Sequence, residues 1–300
     1  MAAIEAAAQQ TLRLGRRFFR DTWVHRLPMT GAIYDRVASV MAVPDTVVFR
    51  GVEVALAQTD STITPSLITG EFERVELDAY EALLSPGMTV VDVGANNGTL
   101  SAIAAKHVGP TGSVVSIEAI ASNVELLERT IALNGIDAVV SVVHCAAGVG
   151  EGNVRIYLDR DNSGTHSAGR VGESWIDVPI RSVDEIVQSS GLSSVDLLKI
   201  DVEGYESFVL EGASGTLHTH QPIIFCEFDN DLLIAAGGDP ARAVDILAAH
   251  GAIYLINSLA GGSSRSVRTN CSTTRPPISG WFLRTSSSFA ARAAHVAMVL

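Results

Sequence analysis

The stretch Val90-Val91-Asp92-Val93-Gly94-Ala95-Asn96-Asn97-Gly98 constrains this chain more than any other. A short, β-branched, apolar run suits a strand buried on both faces, and the glycine-punctuated turn after it opens a helix over Gly98 to His107. In open α/β sheets, ligands bind beyond the carboxyl ends of the strands, where a glycine lets the backbone approach closely. A dinucleotide site needs the spacing G-x-G-x-x-G. Gly94 fits that spacing, but Asn96 and Thr99 stand where the next two glycines belong. The spacing D-x-G-x-N-x-G instead suits a nucleoside cofactor that lacks a pyrophosphate and carries a positively charged amino-acid end. Asp92, Gly94, Asn96, Asn97 and Gly98 are therefore candidate binding residues, although such a turn also serves simply to pack a helix. Glu118 ends the following strand about 20 residues on, where a carboxylate can accept both hydrogen bonds from a ribose diol.

Short apolar runs alternate with helical stretches along the rest of the chain, the signature of a mostly parallel sheet with helices on both faces. Strands are expected at Thr89–Val93, Ser113–Glu118, Val139–Cys145, Val195–Asp201, Pro222–Phe228 and Ala252–Asn257, with a weaker one at Trp281–Thr285. Helices are expected at Asn123–Asn134, Val183–Gln188, Tyr205–Glu211 and Ala241–His250. Ahead of this core, the pattern from Thr46 to Ala57 predicts a hairpin turning near Gly51, and Glu71 to Leu84 reads as one helix. The insert 151–180 carries two strand-like runs, Asn153–Leu158 and Trp175–Ile180, around a Gly/Ser-rich loop that contains His166. The tail from Gly261 to Pro277 reads as a long loop. The expected organisation is a helical arm over 1–45, a hairpin and helix over 46–87, and a cofactor-binding domain over 88–300.

Charge and cysteine content narrow the partners. A net charge of −12 argues against a nucleic-acid binder, which must neutralise phosphates with a basic surface. Mean hydropathy is +0.27, yet the longest uncharged stretch, Ile246 to Ser264, is broken by His250, Asn257 and several glycines, so no transmembrane segment is expected. No signal-peptide core is visible at the N-terminus. Three scattered cysteines without metal-ligand spacing suggest a reducing, cytoplasmic setting. Arg13, Arg16, Arg17 and Arg20 share one helix face in the arm, opposite Leu12, Leu14, Phe18 and Phe19. Such a helix can lie on an anionic membrane surface, but packing on the main domain or on a second subunit of a homodimer is the favoured reading.

The motifs DVGANNG, SVVSIEA, VDLLKIDVEGYE and PIIFCEF resemble those of the FkbM family of S-adenosylmethionine-dependent methyltransferases, over roughly residues 70 to 260. Gly70-Glu71-Phe72-Glu73 and Asn162-Ser163-Gly164 are also similar to the family. The resemblance implies a Rossmann-like class I methyltransferase fold, S-adenosylmethionine as cofactor and O-methylation of a sugar, glycolipid, polyketide or other secondary-metabolite hydroxyl. It implies that Asp92, Gly94 and Asn96 line the methionine side, that Glu73 belongs to the cofactor site, and that Glu118 holds the ribose. Cys145-Ala146-Ala147, at the third strand end, would border the adenine, with Ala146 as the named contact.

Methyl transfer to an alcohol needs alignment and a base near the attacking oxygen. Asp201, Glu203 and Glu206 cluster after one strand, and Glu227 ends its neighbour. Asp201 is the candidate for the cofactor's ammonium and for catalysis; Glu203, Glu227 and His166 are candidates for base or acceptor clamp. First-turn helix stabilisation is the plainer reading of Glu203 and Glu206, credible for Glu206 and less so for the whole cluster. A magnesium ion on Asp201, Asp229 and Asn230 is weighed and not favoured, because Asp229-Asn230-Asp231 also reads as a helix cap. Two other readings stay open: an NAD-dependent oxidoreductase, weakened by the broken glycine spacing, and a noncatalytic nucleoside-binding scaffold of the same fold.

Overall fold

The computed structural model describes residues 43–158 and 174–250, and the backbone of three further strands at 252–256, 267–269 and 279–285. The N-terminal arm, the loop bearing His166 and Asn162-Ser163-Gly164, and most of the tail lie outside the described residues.

A hairpin of β1 (Thr46–Phe49) and β2 (Val52–Ala55) leads to helices α1 (Ile63–Thr69) and α2 (Arg74–Leu83). The core begins with β3 (Thr89–Val93), α3 (Thr99–Val108), β4 (Ser113–Glu118), α4 (Ala121–Asn134) and β5 (Val140–His144). A side sheet follows, made of β6 (Ala146–Ala147), β7 (Gly152–Tyr157) and β8 (Trp175–Arg181). The core resumes with α5 (Val183–Ser189), β9 (Leu197–Ile200), α6 (Glu206–Gly212), α7 (Ser214–His220), β10 (Ile223–Asp229), α8 (Asn230–Ala235) and α9 (Pro240–Ala249). Strands β11 (Ala252–Ile256), β12 (Val267–Thr269) and β13 (Ser279–Thr285) complete the main sheet.

That sheet runs β12-β11-β13-β10-β9-β3-β4-β5. Its five strands from β10 to β5 are parallel, and the β13, β11 and β12 edge is antiparallel. The fold is thus α/β and Rossmann-like, as expected. Because successive side chains leave a strand on opposite faces, the β-branched runs feed two separate cores. Val90, Val114 and Leu197 pack with Leu67, Leu77, Ile103 and Leu127 on one side. Val91, Val115 and Leu198 pack with Ile186, Leu210, Leu217 and Leu247 on the other.

Two expectations need amending. The helix expected over Glu71 to Leu84 forms as the single helix α2, but it starts at Arg74, because Glu73 enters it at φ 38°; a separate helix, α1, precedes it and ends at Gly70 in the left-handed region (φ 73°). Helix α1 was not foreseen, because Pro65 and the neighbouring threonines are poor helix formers. Proline is tolerated there because the first helical turn needs no N–H partner. The tail is not all loop: Val267–Thr269 pairs antiparallel with β11. The insert does form its hairpin, with Tyr157 opposite Trp175, and β8 also pairs with β6.

The leading hairpin is tied to the core through Thr130. This fully buried hydroxyl accepts from the Ala55 N–H (3.0 Å) and donates to the carbonyl of Asn97 (2.7 Å), in the glycine turn. Thr130→Val keeps the shape and leaves both backbone groups without a partner. It should lower the unfolding free energy by about 1–3 kcal/mol in urea titrations, while Thr130→Ser retains most of it.

Candidate functional site

The carboxyl ends of β3, β4, β9 and β10 open onto a cavity of about 570 Å³. Gly94 to Asn97 form one wall, Glu118 to Ile120 with Asn123 the next, and Cys145 to Ala147 a third. Val154 and Ile156 of the insert hairpin close that side. Asp201, Glu203, Tyr205 and Glu227 lie opposite, and Glu73 comes in from the start of α2. Sequence reasoning missed a further wall, Ser61, Thr62, Ile63 and Ser66, because it depends on the unforeseen α1.

The glycine turn is shaped first by protein contacts. A Cβ on Gly94 (φ 75°) would sit 1.8 Å from the backbone oxygen of Asp201, so glycine is what lets β3 and β9 converge at the cavity. Gly98 is not on the cavity wall; a Cβ there would meet Leu127 of α4 at 2.6 Å, so this glycine packs two helices together. Asn97 reaches the wall, but its side chain serves the turn, with Oδ1 accepting from the Thr99 hydroxyl at 2.8 Å. Asp92 also differs from expectation. It is fully buried behind the turn, 3.1 Å from the Lys199 ammonium, and it accepts from the Ser101 hydroxyl at 2.6 Å. A strand-end acid two residues before the glycine points into the sheet's packed face, so Asp92 supports the site from beneath.

Glu118 sits where the sequence placed it, at the last position of β4 and on the wall. Its Oε2 accepts from the Asn96 N–H (2.8 Å), and its Oε1 accepts from the Ile120 N–H (2.9 Å) and the Asn123 amide (3.4 Å). Burial raises its pKa against these donors. Oε2 keeps a lone pair for a ribose hydroxyl, and the long Asn123 contact to Oε1 is the one a second hydroxyl would displace, because a carboxylate offers about four acceptor sites.

The acidic cluster converges from three elements. Asp201 and Glu203 follow β9, Glu227 lies on β10, and Glu73 precedes α2. Burial, followed by the charge of Asp201, raises the carboxyls of both Glu73 and Glu227 far above the ordinary range. Glu227 also shares a hydrogen bond with Asp201. Sequence reasoning missed the cation beneath them, Lys199, which is 2% exposed. The signal was present: a lysine inside the apolar run Leu197-Leu198-Lys199-Ile200 has to find buried partners. Glu206 takes the structural role weighed for it. Its Oε1 accepts from the N–H groups of Gly204 (3.0 Å) and Val202 (3.3 Å), closing the turn after β9. Asp229 likewise caps α8, accepting from the N–H groups of Asp231 and Leu232. Among the described residues, no group of three or more His, Cys, Asp or Glu has metal-site geometry. No helix there is long and apolar enough to cross a membrane.

Burial pushes Glu206 up to about 7 from an ordinary 4.5. An acid raised in this way favours the folded state fully below its unfolded value and loses that contribution as pH climbs toward the folded one. The Glu206 share of stability should therefore fall by about 3 kcal/mol from pH 4.5 to 7.5. Glu206→Gln keeps the accepting oxygen, and denaturant unfolding across that range should give it a flatter profile than the wild type.

A family model described as the methyltransferase FkbM domain matches residues 92–254, more than half of the chain. Among curated proteins, the large-subunit ribosomal RNA methyltransferase E of Nitrosomonas eutropha is 49% identical over 47 residues, 16% of this chain and 23% of that protein. The enzyme of the same name from Chromohalobacter salexigens is 53% identical over 45 residues, 15% and 21% of the two chains. The chain thus spans less than a quarter of the length of these relatives. Among solved structures, a precorrin-6y C5,15-methyltransferase from Geobacter metallireducens aligns with a TM-score of 0.43 and 12% identity, over 77% of this chain and 92% of that one. A methyltransferase FkbM from Methylobacillus flagellatus aligns with a TM-score of 0.43 and 18% identity, over 76% and 56%. The family match begins at Asp92 and runs through every strand end that opens onto the cavity; the chain belongs to the FkbM family of methyltransferases.

Proposed function

We propose that this protein transfers a methyl group from S-adenosylmethionine to a hydroxyl of a small molecule, such as a sugar, glycolipid, polyketide or other secondary metabolite. The observation that carries the reading is one cavity that joins a diol-accepting carboxylate, Glu118, to an acidic cluster around Asp201. The residues fit the cofactor's parts in order. Glu118 would hold the ribose, the backbone of Gly94 to Asn96 the methionine chain, and Asp201 the amino group. Ile120, Ala146 and Ile156 offer an apolar slot for adenine, bordered by Asn123.

When bound, the cofactor supplies an electrophilic methyl group on a sulfonium, so the protein's task is alignment and proton removal. Glu203 and Glu227 line the cavity together with Asp201. A carboxyl raised by burial and by a neighbouring charge is a stronger base than a solvated one once its proton is gone, which suits an alcohol proton. His166 remains a candidate outside the described residues. The names of the ribosomal RNA relatives raise a nucleic-acid acceptor, but the acidic cavity and the net charge of −12 favour a neutral small molecule. The same charges disfavour the pyrophosphate of NAD.

Incubation with labelled S-adenosylmethionine and a metabolite extract tests the reading: label should enter a small molecule and not RNA. Glu118→Ala should weaken S-adenosylhomocysteine binding by about 1.5–3 kcal/mol in calorimetry. Of Glu203→Gln and Glu227→Gln, one should slow turnover by about 10²–10⁴-fold with little change in cofactor affinity. With Asp229 committed to its helix cap, EDTA should leave turnover unchanged.

A further inference from the structure

Lys199 is the one described cation on the cavity's lining, and it is almost wholly buried. It stands on β9 in register with Asp92 of β3, and Asp92 is in register with Ser116 of β4. Its Nζ donates to the carbonyls of Gly94 (2.7 Å) and Val93 (3.3 Å). The same ammonium lies 3.1 Å from Asp92 Oδ1 and 3.7 Å from Asp201 Oδ2. Asp201 is the exposed end of this chain, with about a quarter of its side chain open to the cavity.

We propose that Lys199 is the positioning residue of the cofactor site: one buried ammonium pins the carbonyls of the glycine turn and holds the Asp201 side chain in place to meet the cofactor's amino group. The inference rests on the cofactor reading above. Three features support it. Asp201 is crowded by acids from every side: Glu203 on its own loop, Glu206 on α6, Glu73 at α2 and Glu227 on β10. The ammonium beneath it is the described cation within ion-pair distance that offsets this repulsion. Asp92 cannot do this work itself, since it is buried on the far side of the ammonium and never reaches the cavity. Finally, burial opposes the lysine's charge, yet Asp92 and Asp201 outweigh that and keep it cationic well above its ordinary range.

The test is calorimetric affinity for S-adenosylhomocysteine and for methylthioadenosine, which lacks the amino-acid end, in the wild type, Lys199→Met and the double variant D92N/K199M. The double variant neutralises both members of the buried pair, the change such a pair tolerates best, and it carries the test if K199M alone does not fold. Both variants should bind S-adenosylhomocysteine at least about tenfold more weakly, the loss of about one charge-assisted hydrogen bond. Methylthioadenosine should bind all three proteins alike, because Lys199 acts on the amino-acid end of the site. Wild-type affinity for S-adenosylhomocysteine in D92N/K199M, or an equal deficit for both ligands, overturns the proposal. Absence of binding by the wild type would instead overturn the cofactor reading itself.

Discussion

A single ammonium in the middle of a parallel sheet organises the cofactor end of this molecule. Burying a lone cation costs several kcal/mol even after relaxation, so Lys199 has to be surrounded by oxygen. Asp92, Asp201 and two backbone carbonyls provide it, and they belong to the elements that must converge for a cavity to exist. The network continues sideways, from Asp92 to the Ser101 hydroxyl and from Ser101 to Ser116 at 2.8 Å. A band of polar contacts thus crosses β9, β3, β4 and α3 inside an otherwise apolar core. Breaking one member of such a band is far more costly than replacing all of it, which ties the register of three strands to the charge state of one site.

Above that band, the protein accepts arrangements that stability alone would disfavour. Five described non-glycine residues adopt positive φ, and three of them, Glu73, Asn96 and Glu203, line the cavity. Such conformations cost of order 1–3 kcal/mol each and persist where surrounding structure over-determines them. Four carboxylates crowd one cation in the same place, so two of them are pushed toward their neutral forms. A cationic ligand would relieve the crowding of the acids by supplying the missing positive charge.

Much of the fold was legible because its elements announce themselves locally. Thr89–Val93 and Ser113–Glu118 are β-branched runs closed by turns, and both strands fall where the pattern put them. Glu118 was legible too, since a strand-end acid at that spacing has one natural place in an α/β sheet. Helix α1 was not, because its proline and threonines are poor helix formers that tertiary packing overrides. The lateral position of Asp92 was also misjudged: D-x-G reads as a ligand motif, yet strand alternation turns that side chain into the packed face.

The sequence by itself determined the alternation of strand and helix, the glycine turn and the supply of acids at the strand ends. These follow from hydrophobic period and backbone permissiveness, which act over a few residues. Which acids meet was decided by the tertiary structure. Glu73, Asp201 and Glu227 are separated by long stretches of chain and come together only because the parallel order β10-β9-β3 stacks their strand ends beneath α2. The partner of Lys199 was decided the same way, because a register between β3 and β9 that aligns Asp92 with Lys199 exists only once both strands are paired. Long-range electrostatics of this kind has no local signature beyond a charge in an apolar run, and it takes the assembled sheet to show what neutralises it.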